Sequence, residues 1–127
     1  MSSTLIDTPT LFIDGKWCAS SERKTRATYN PYDASLIMHV DEATADDAKR
    51  AVTSAKTFFN TSDWPHKTYE ERCTLLDRMA DTLQQHKAEL ARIETIDTGK
   101  TLGESEIDID DVTQVFRFYA KEAIKLA

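Results

Sequence analysis

Apolar positions change rhythm about a third of the way along the chain. Before that point they come in short extended runs. Leu11-Phe12-Ile13 and Lys16-Trp17-Cys18 flank Asp14-Gly15, and a two-residue Asp-Gly loop meets the positive-φ demand of a type I′ turn, so a tight hairpin is predicted. A polar stretch over residues 20–26 leads into Ala27-Thr28-Tyr29. Asn30-Pro31 stops regular structure there, because proline lacks a donor and pushes the preceding residue out of the α region. A second extended run covers residues 36–40, which completes a β-rich segment over 11–40. Residues 1–10 carry no periodicity and read as a mobile arm.

From Thr44 to the end the rhythm is helical. Thr44 with Asp47 resembles a capping box, and Ala48, Ala51, Val52, Ala55, Phe58 and Phe59 recur at the i, i+3, i+4, i+7 spacing of one helix face. Ser62-Asp63-Trp64-Pro65 breaks the pattern. A second helix opens on Thr68 with Glu71 and is predicted to bury Cys73, Leu76, Met79, Ala80 and Leu83. A short third helix carries Leu90, Ala91, Ile93 and Ile96 and ends at Gly99, the residue type best suited to a left-handed cap. The last starts near Thr101 and is predicted to bury Val112, Val115, Phe116, Tyr119 and Ala123. The expected fold class is therefore α+β: a hairpin and short strands followed by about four α-helices.

With 127 residues the chain has room for one domain and a real core. The balance of 16 Lys+Arg against 22 Asp+Glu gives a net charge of -6, the wrong sign for neutralising phosphates, so neither nucleic acid nor an anionic membrane is an expected partner. No window approaches the ~20 apolar residues of a membrane helix, and the N-terminus lacks a basic region followed by an apolar one. A cytoplasmic location is expected. Three glycines leave no glycine-rich phosphate cradle.

Candidate chemistry is sparse. Cys18 and Cys73 stand far apart without a CxxC pattern and read as reduced structural thiols. His39, His66 and His86 are isolated, with no partner at metal-ligand spacing. Two acidic positions stand out. Asp111 lies with Ile107, Val115 and Phe118 at i, i+4, i+8 and i+11, an acid within an otherwise apolar stripe. It reads either as one of five carboxylates between Glu104 and Asp111 that complement a helix N-terminus, or as the mouth of a pocket for an organic cation. Asp97 sits in the last turn of a helix, where it opposes the dipole. Either Lys100 or the next helix's N-terminal amides compensate it, or it binds a cation together with backbone carbonyls.

Taken in order, Leu11-Phe12-Ile13-Asp14-Gly15-Lys16-Trp17, Asn30-Pro31, Ala48 to Ala55, Glu70 and Arg72, and above all Glu94-Thr95-Ile96-Asp97-Thr98-Gly99-Lys100 resemble the N-terminal part of the aldehyde dehydrogenase family. The resemblance runs over residues 11–120. The block from Asp97 to Ser105, continued by Asp108 to Val112 and Val115 to Ala120, is similar to betaine aldehyde dehydrogenases. It implies a homo-oligomeric parent enzyme that oxidises an aldehyde to an acid with NAD or NADP. In that chemistry a cysteine thiolate attacks the aldehyde, hydride leaves to the nicotinamide, and a glutamate activates water. Asp97 then matches a monovalent-cation site for K+ or Na+, completed by the backbone carbonyls of Thr28 and Tyr29. Ile107 and Asp111 match the helix at the entrance to the substrate tunnel, where an acid suits a trimethylammonium aldehyde.

The sequence also departs from the family. Members are several times longer, and their catalytic cysteine, glutamate and dinucleotide-binding elements follow the point where this sequence stops. Neither Cys18 nor Cys73 matches the nucleophile's motif, so no residue here is assigned to catalysis or to cofactor binding. After Tyr119-Ala120 the family usually has a glycine, whereas Lys121-Glu122-Ala123-Ile124-Lys125-Leu126-Ala127 follows. The expectation is a truncated or frameshifted product, or a deliberate fragment, without dehydrogenase activity of its own. Two other readings stand beside it: a helical interaction module that docks on or complements an aldehyde dehydrogenase, and a small binding protein that takes quaternary ammonium compounds through Asp111.

Overall fold

Asp14 and Gly15 both occupy the left-handed region, at φ 57° and 71°, which is the type I′ turn that two-residue hairpins require. They join strand β1, Leu11–Ile13, to β2, Lys16–Cys18, with Phe12 opposite Trp17. The two rings meet edge to face with centroids 5.0 Å apart. This computed structural model describes residues 11–125; the arm expected over residues 1–10 lies outside them. Within that range the chain forms two units, residues 11–29 with 34–62 and residues 30–33 with 63–125, each described by itself.

In the first unit β3, Thr25–Tyr29, pairs antiparallel with β4, Leu36–Asp41, as a second two-stranded sheet. The register slips between Thr28 and Tyr29: Thr28 faces Met38, but Tyr29 faces Leu36. Such a bulge leaves one residue without a ladder partner and bends the ribbon. Helix α1, Ala45–Thr61, opens on the predicted Thr44–Asp47 capping box. Its apolar face is not covered. Ala48, Ala51, Val52, Ala55, Phe58 and Phe59 are all exposed, and the one buried side chain is Asp47. Two three-residue strands offer a 17-residue helix too little surface to bury that stripe.

In the second unit a single 3-10 turn, Trp64–His66, precedes α2, Tyr69–Gln85, α3, Lys87–Thr98, and α4, Leu102–Ile124. Only His86 separates α2 from α3. The Thr68–Glu71 and Thr101–Glu104 boxes are both formed, each worth about 1 kcal/mol of helix stability. Gly99 caps α3 at φ 78° and donates to the Thr95 carbonyl at 3.0 Å. A methyl group there would also lie 2.9 Å from the Pro31 ring, so glycine is required twice over.

Helix α4 packs on α2 and α3, and the fully buried apolar residues are all small: Cys73, Ala80, Ala91 and Ala120. The inward seam of α4 runs Ser105, Ile109, Thr113, Phe116, Ala120 and Ala123. This corrects the expectation for Val112, Val115 and Tyr119, which are exposed, while Phe116 and Ala123 are half-buried as expected. On α2, Leu76 and Leu83 are half-buried but Met79 is exposed; on α3, Ile93 is exposed. The fully buried positions along the seam are small, Ile109 and Phe116 are half-buried beside them, and Val112, Val115 and Tyr119 are left exposed. Ser105 accepts a hydrogen bond from the Thr95 hydroxyl at 3.0 Å, a buried link between α3 and α4. No helix among the described residues is long and apolar enough to cross a membrane.

Candidate functional site

The elbow between α3 and α4 gathers most of the charge that the sequence singled out. Lys100 donates to Glu94 at 2.9 Å and also to Asp108, so its ammonium is committed to these two. The bond from Asp108, then that from Glu94, holds the Lys100 ammonium above the ordinary lysine range. Asp108 is lowered in turn, first by its bond from Lys100. The N-terminal amides of α4 are served by its own box, in which the Thr101 hydroxyl and amide both donate to Glu104 and hold that carboxyl low, the hydroxyl foremost. Neither expected compensator therefore reaches Asp97. Its side chain is exposed and receives no hydrogen bond or ion pair among the described residues. A cleft of about 350 Å³ opens beside this elbow, bounded by Asn30, Tyr32, Ile96 and Thr101.

Along α4 the five clustered carboxylates separate by role. Glu104 closes the cap, Asp108 holds Lys100, and Asp110 accepts from Lys87 at 2.6 Å. Glu106 and Asp111 have no partner among the described residues. Asp111 is exposed, and so are Ile107 (60%), Val115 (52%) and Phe118 (57%). The stripe read from the sequence is thus a solvent-facing strip on the side of α4 opposite its seam.

Thr28 and Tyr29 belong to the first unit and Asp97 to the second. The Thr28 hydroxyl donates to the Met38 carbonyl at 3.2 Å, and the ladder is interrupted between Thr28 and Tyr29. Cys73 is 2% exposed. Cys18 is half-buried, with an Arg50 guanidinium nitrogen 3.6 Å from its sulfur. His86 faces Glu89 at 3.4 Å on the surface. No group of three or more His, Cys, Asp or Glu side chains among the described residues is arranged to hold a metal.

Sequence reasoning missed the most heavily bonded carboxylate. Asp47 is 1% exposed and accepts from the Thr44 amide at 2.9 Å, from the Ser21 amide at 3.2 Å and hydroxyl at 3.1 Å, and from Arg50 at 3.0 Å. The bonds from Thr44 and Ser21, the Thr44 amide first, hold its carboxyl at about 2 against the opposing effect of burial. Its capping role was legible, but the contact with Ser21 joins residues 26 apart and leaves no local signal.

The aldehyde dehydrogenase family model matches residues 17–127, the greater part of the sequence. The chain belongs to the aldehyde dehydrogenase family. Among curated aldehyde dehydrogenases, it is 37% identical over 116 residues to betaine aldehyde dehydrogenase of Bacillus subtilis, covering 91% of this chain and 24% of that protein. It is 36% identical over 110 residues to aminoaldehyde dehydrogenase 2 of Solanum lycopersicum, covering 87% of this chain and 22% of that protein. Among solved structures, betaine aldehyde dehydrogenase from Staphylococcus aureus in complex with NAD+ superposes with a TM-score of 0.87 at 40% identity, over 90% of this chain and 23% of that one. This aldehyde dehydrogenase chain thus spans about a quarter of the length of the relatives it matches.

Proposed function

We propose that this chain contributes the substrate-entrance wall of an NAD(P)-dependent aldehyde dehydrogenase whose substrate is an aldehyde carrying a quaternary ammonium group. The observation that carries this is Asp111: an exposed carboxylate without a partner, framed by Ile107, Val115 and Phe118. A trimethylammonium group is large, apolar at its surface and permanently charged, so it gains from apolar contact and from one anion together. The names of the relatives support the same substrate class. Ile107 supplies contact and Asp111 supplies the charge.

The chain's own residues do not suit the dinucleotide. Gly15 lies in a hairpin turn, Gly99 caps a helix and Gly103 lies in the first turn of α4, so none opens a phosphate loop. No step through NAD(P) is assigned to this segment. Neither cysteine is offered as a nucleophile, and we infer that the chain alone turns over no aldehyde. An oxygen donor does suit a hard monovalent cation, K+ or Na+, and Asp97 is the ligand we propose from the second unit. Its support is the unpartnered Asp97 carboxylate. In the parent enzyme a homo-oligomer is expected.

A chimera decides the entrance assignment. In it, the matching stretch of the Bacillus subtilis enzyme is replaced by this chain, and activity is measured with betaine aldehyde and with 3,3-dimethylbutanal, its neutral isostere. Asp111→Asn is expected to raise KM for the cationic substrate about 10-fold, equivalent to ~1.4 kcal/mol, and to leave the neutral one unchanged. Equal effects on both substrates would remove Asp111 from the recognition of charge. The isolated chain, mixed with NAD and betaine aldehyde, should yield no NADH.

A further inference from the structure

We propose that Lys100 is a specificity-determining residue of the entrance: it engages Asp108, leaves Asp111 as the open anion on that face of α4, and so fits the entrance to an aldehyde with one positive charge rather than two. The proposal rests on the Asp111 reading. With 3.6 residues per turn, Glu104, Asp108, Asp111 and Glu122 fall within about 60° of one another around the axis of α4. One helix face therefore carries four carboxylates. Three of them are engaged: Glu104 in its cap with Thr101, Asp108 by the Lys100 ammonium, and Glu122 by Lys125 at 2.6 Å. Asp111 alone of the four has no partner among the described residues.

Asp108 is the neighbour that matters, because residues three apart on a helix bring their Cβ atoms to about 5–6 Å. Free to turn towards Asp111, it would give an approaching cation a second anion. Lys100 prevents this from the connection between α3 and α4. Its ammonium donates to Glu94 on α3 at 2.9 Å and to Asp108 on α4, so it is fixed from both sides and draws the Asp108 carboxylate towards the elbow. The bond from Asp108, then that from Glu94, holds the ammonium above the ordinary lysine range, and the bond from Lys100 holds Asp108 low, so the pair stays charged at neutral pH. A carboxylate bonded in this way is closed to direct contact with a substrate, and its more distant field is screened by salt. Specificity is a difference of affinities. One open anion suits one trimethylammonium group and offers a second positive group no counter-charge.

The test uses the Bacillus subtilis chimera at about 0.15 M salt with three aldehydes: betaine aldehyde, 3,3-dimethylbutanal, and an aldehyde bearing two trimethylammonium groups. Lys100→Met is expected to lower KM about 3-fold for betaine aldehyde and about 10-fold for the dication, and to leave the neutral aldehyde unchanged. Adding Asp108→Asn to Lys100→Met should restore the wild-type values, whereas Asp108→Asn alone should change neither cationic KM by more than about 1.5-fold. A purely structural tie between the helices would not produce that dependence on Lys100. Lys100→Arg keeps the ion pair and should keep the wild-type discrimination. Two results overturn the proposal: cationic KM values that Lys100→Met leaves unchanged, or a gain that persists after Asp108 is removed. If Lys100→Met weakens the fold, seen as an equal loss with the neutral aldehyde, Asp108→Asn alone decides: a betaine aldehyde KM raised about 3-fold or more would show Asp108 open to substrate and overturn the proposal, and an unchanged KM supports it. Failure of the Asp111 reading looks different, since Asp111→Asn would then act equally on charged and neutral aldehydes. Failure of the Lys100 proposal leaves Asp111→Asn selective for charge.

Discussion

The Asp47 carboxylate holds Ser21 by both its amide and its hydroxyl, at 3.2 and 3.1 Å, and so ties the loop before β3 to the first turn of α1. The same oxygen closes the Thr44 cap. Because these bonds are made to the ionised form, the folded-state pKa falls from an ordinary 3.8 to about 2. A lowered carboxyl pKa contributes stability that is fully present above about pH 4 and is lost as the pH falls towards 2. The denaturant midpoint of the wild-type chain is therefore expected to drop across that window. In Asp47→Asn that component of the drop is absent and the midpoint at pH 7 is already lower. A wild-type and variant difference that is the same at pH 7 and pH 2 would contradict this linkage.

Gly99 meets two constraints at once, a φ of 78° and the Pro31 ring. Gly99→Ala is expected to cost about 2 kcal/mol, from the left-handed backbone together with the clash. In a Pro31→Ala background, which removes the ring atom 2.9 Å away, the same substitution should cost only about 1 kcal/mol. Urea titrations of the four chains measure the difference. Equal costs in both backgrounds would mean that the ring moves aside freely.

The Thr95 and Ser105 hydroxyls, 3.0 Å apart, form a pair that a double-mutant cycle can isolate. Ser105→Ala strands the Thr95 hydroxyl beside a fully buried position and is expected to cost about 1–2 kcal/mol. Adding Thr95→Val removes the stranded group, so the double variant should be more stable than the sum of the single costs by about 1 kcal/mol. Strict additivity would show that the hydroxyls act independently.

Features written in contiguous residues were legible in the sequence. The Asp14-Gly15 turn, the Thr44 and Thr68 boxes and the Gly99 cap each depend on a few neighbouring side chains, and each is formed as read. The inward face of α4 was not. Hydrophobic periodicity assumes that the largest apolar side chains face the nearest core, whereas α4 turns Ser105, Thr113 and Ala120 inward and leaves Val112, Val115 and Tyr119 out. The pattern recorded surfaces that a free-standing chain does not cover. Asp97 and Asp111 were recognisable as acids in places that local physics disfavours. The partners chosen by Lys100 were not, since Glu94 and Asp108 lie on two helices joined by the elbow itself.

Thr113 is 3% exposed, and its hydroxyl has no hydrogen-bond partner among the described residues. A threonine within a helix ordinarily satisfies that group on the carbonyl four residues earlier, so here the desolvation penalty is uncompensated. Thr113→Val keeps the branched shape that fills the seam and removes only the hydroxyl, and it is expected to stabilise the chain by about 1 kcal/mol. The neighbouring exchange Val112→Thr, at an exposed position, should change stability by less than about 0.5 kcal/mol. The pair separates seam from surface by the sign of one effect and the size of the other. Denaturant midpoints that fall for Thr113→Val would mean that the hydroxyl is satisfied in solution, and the seam would then be a polar contact rather than a close packing of small side chains.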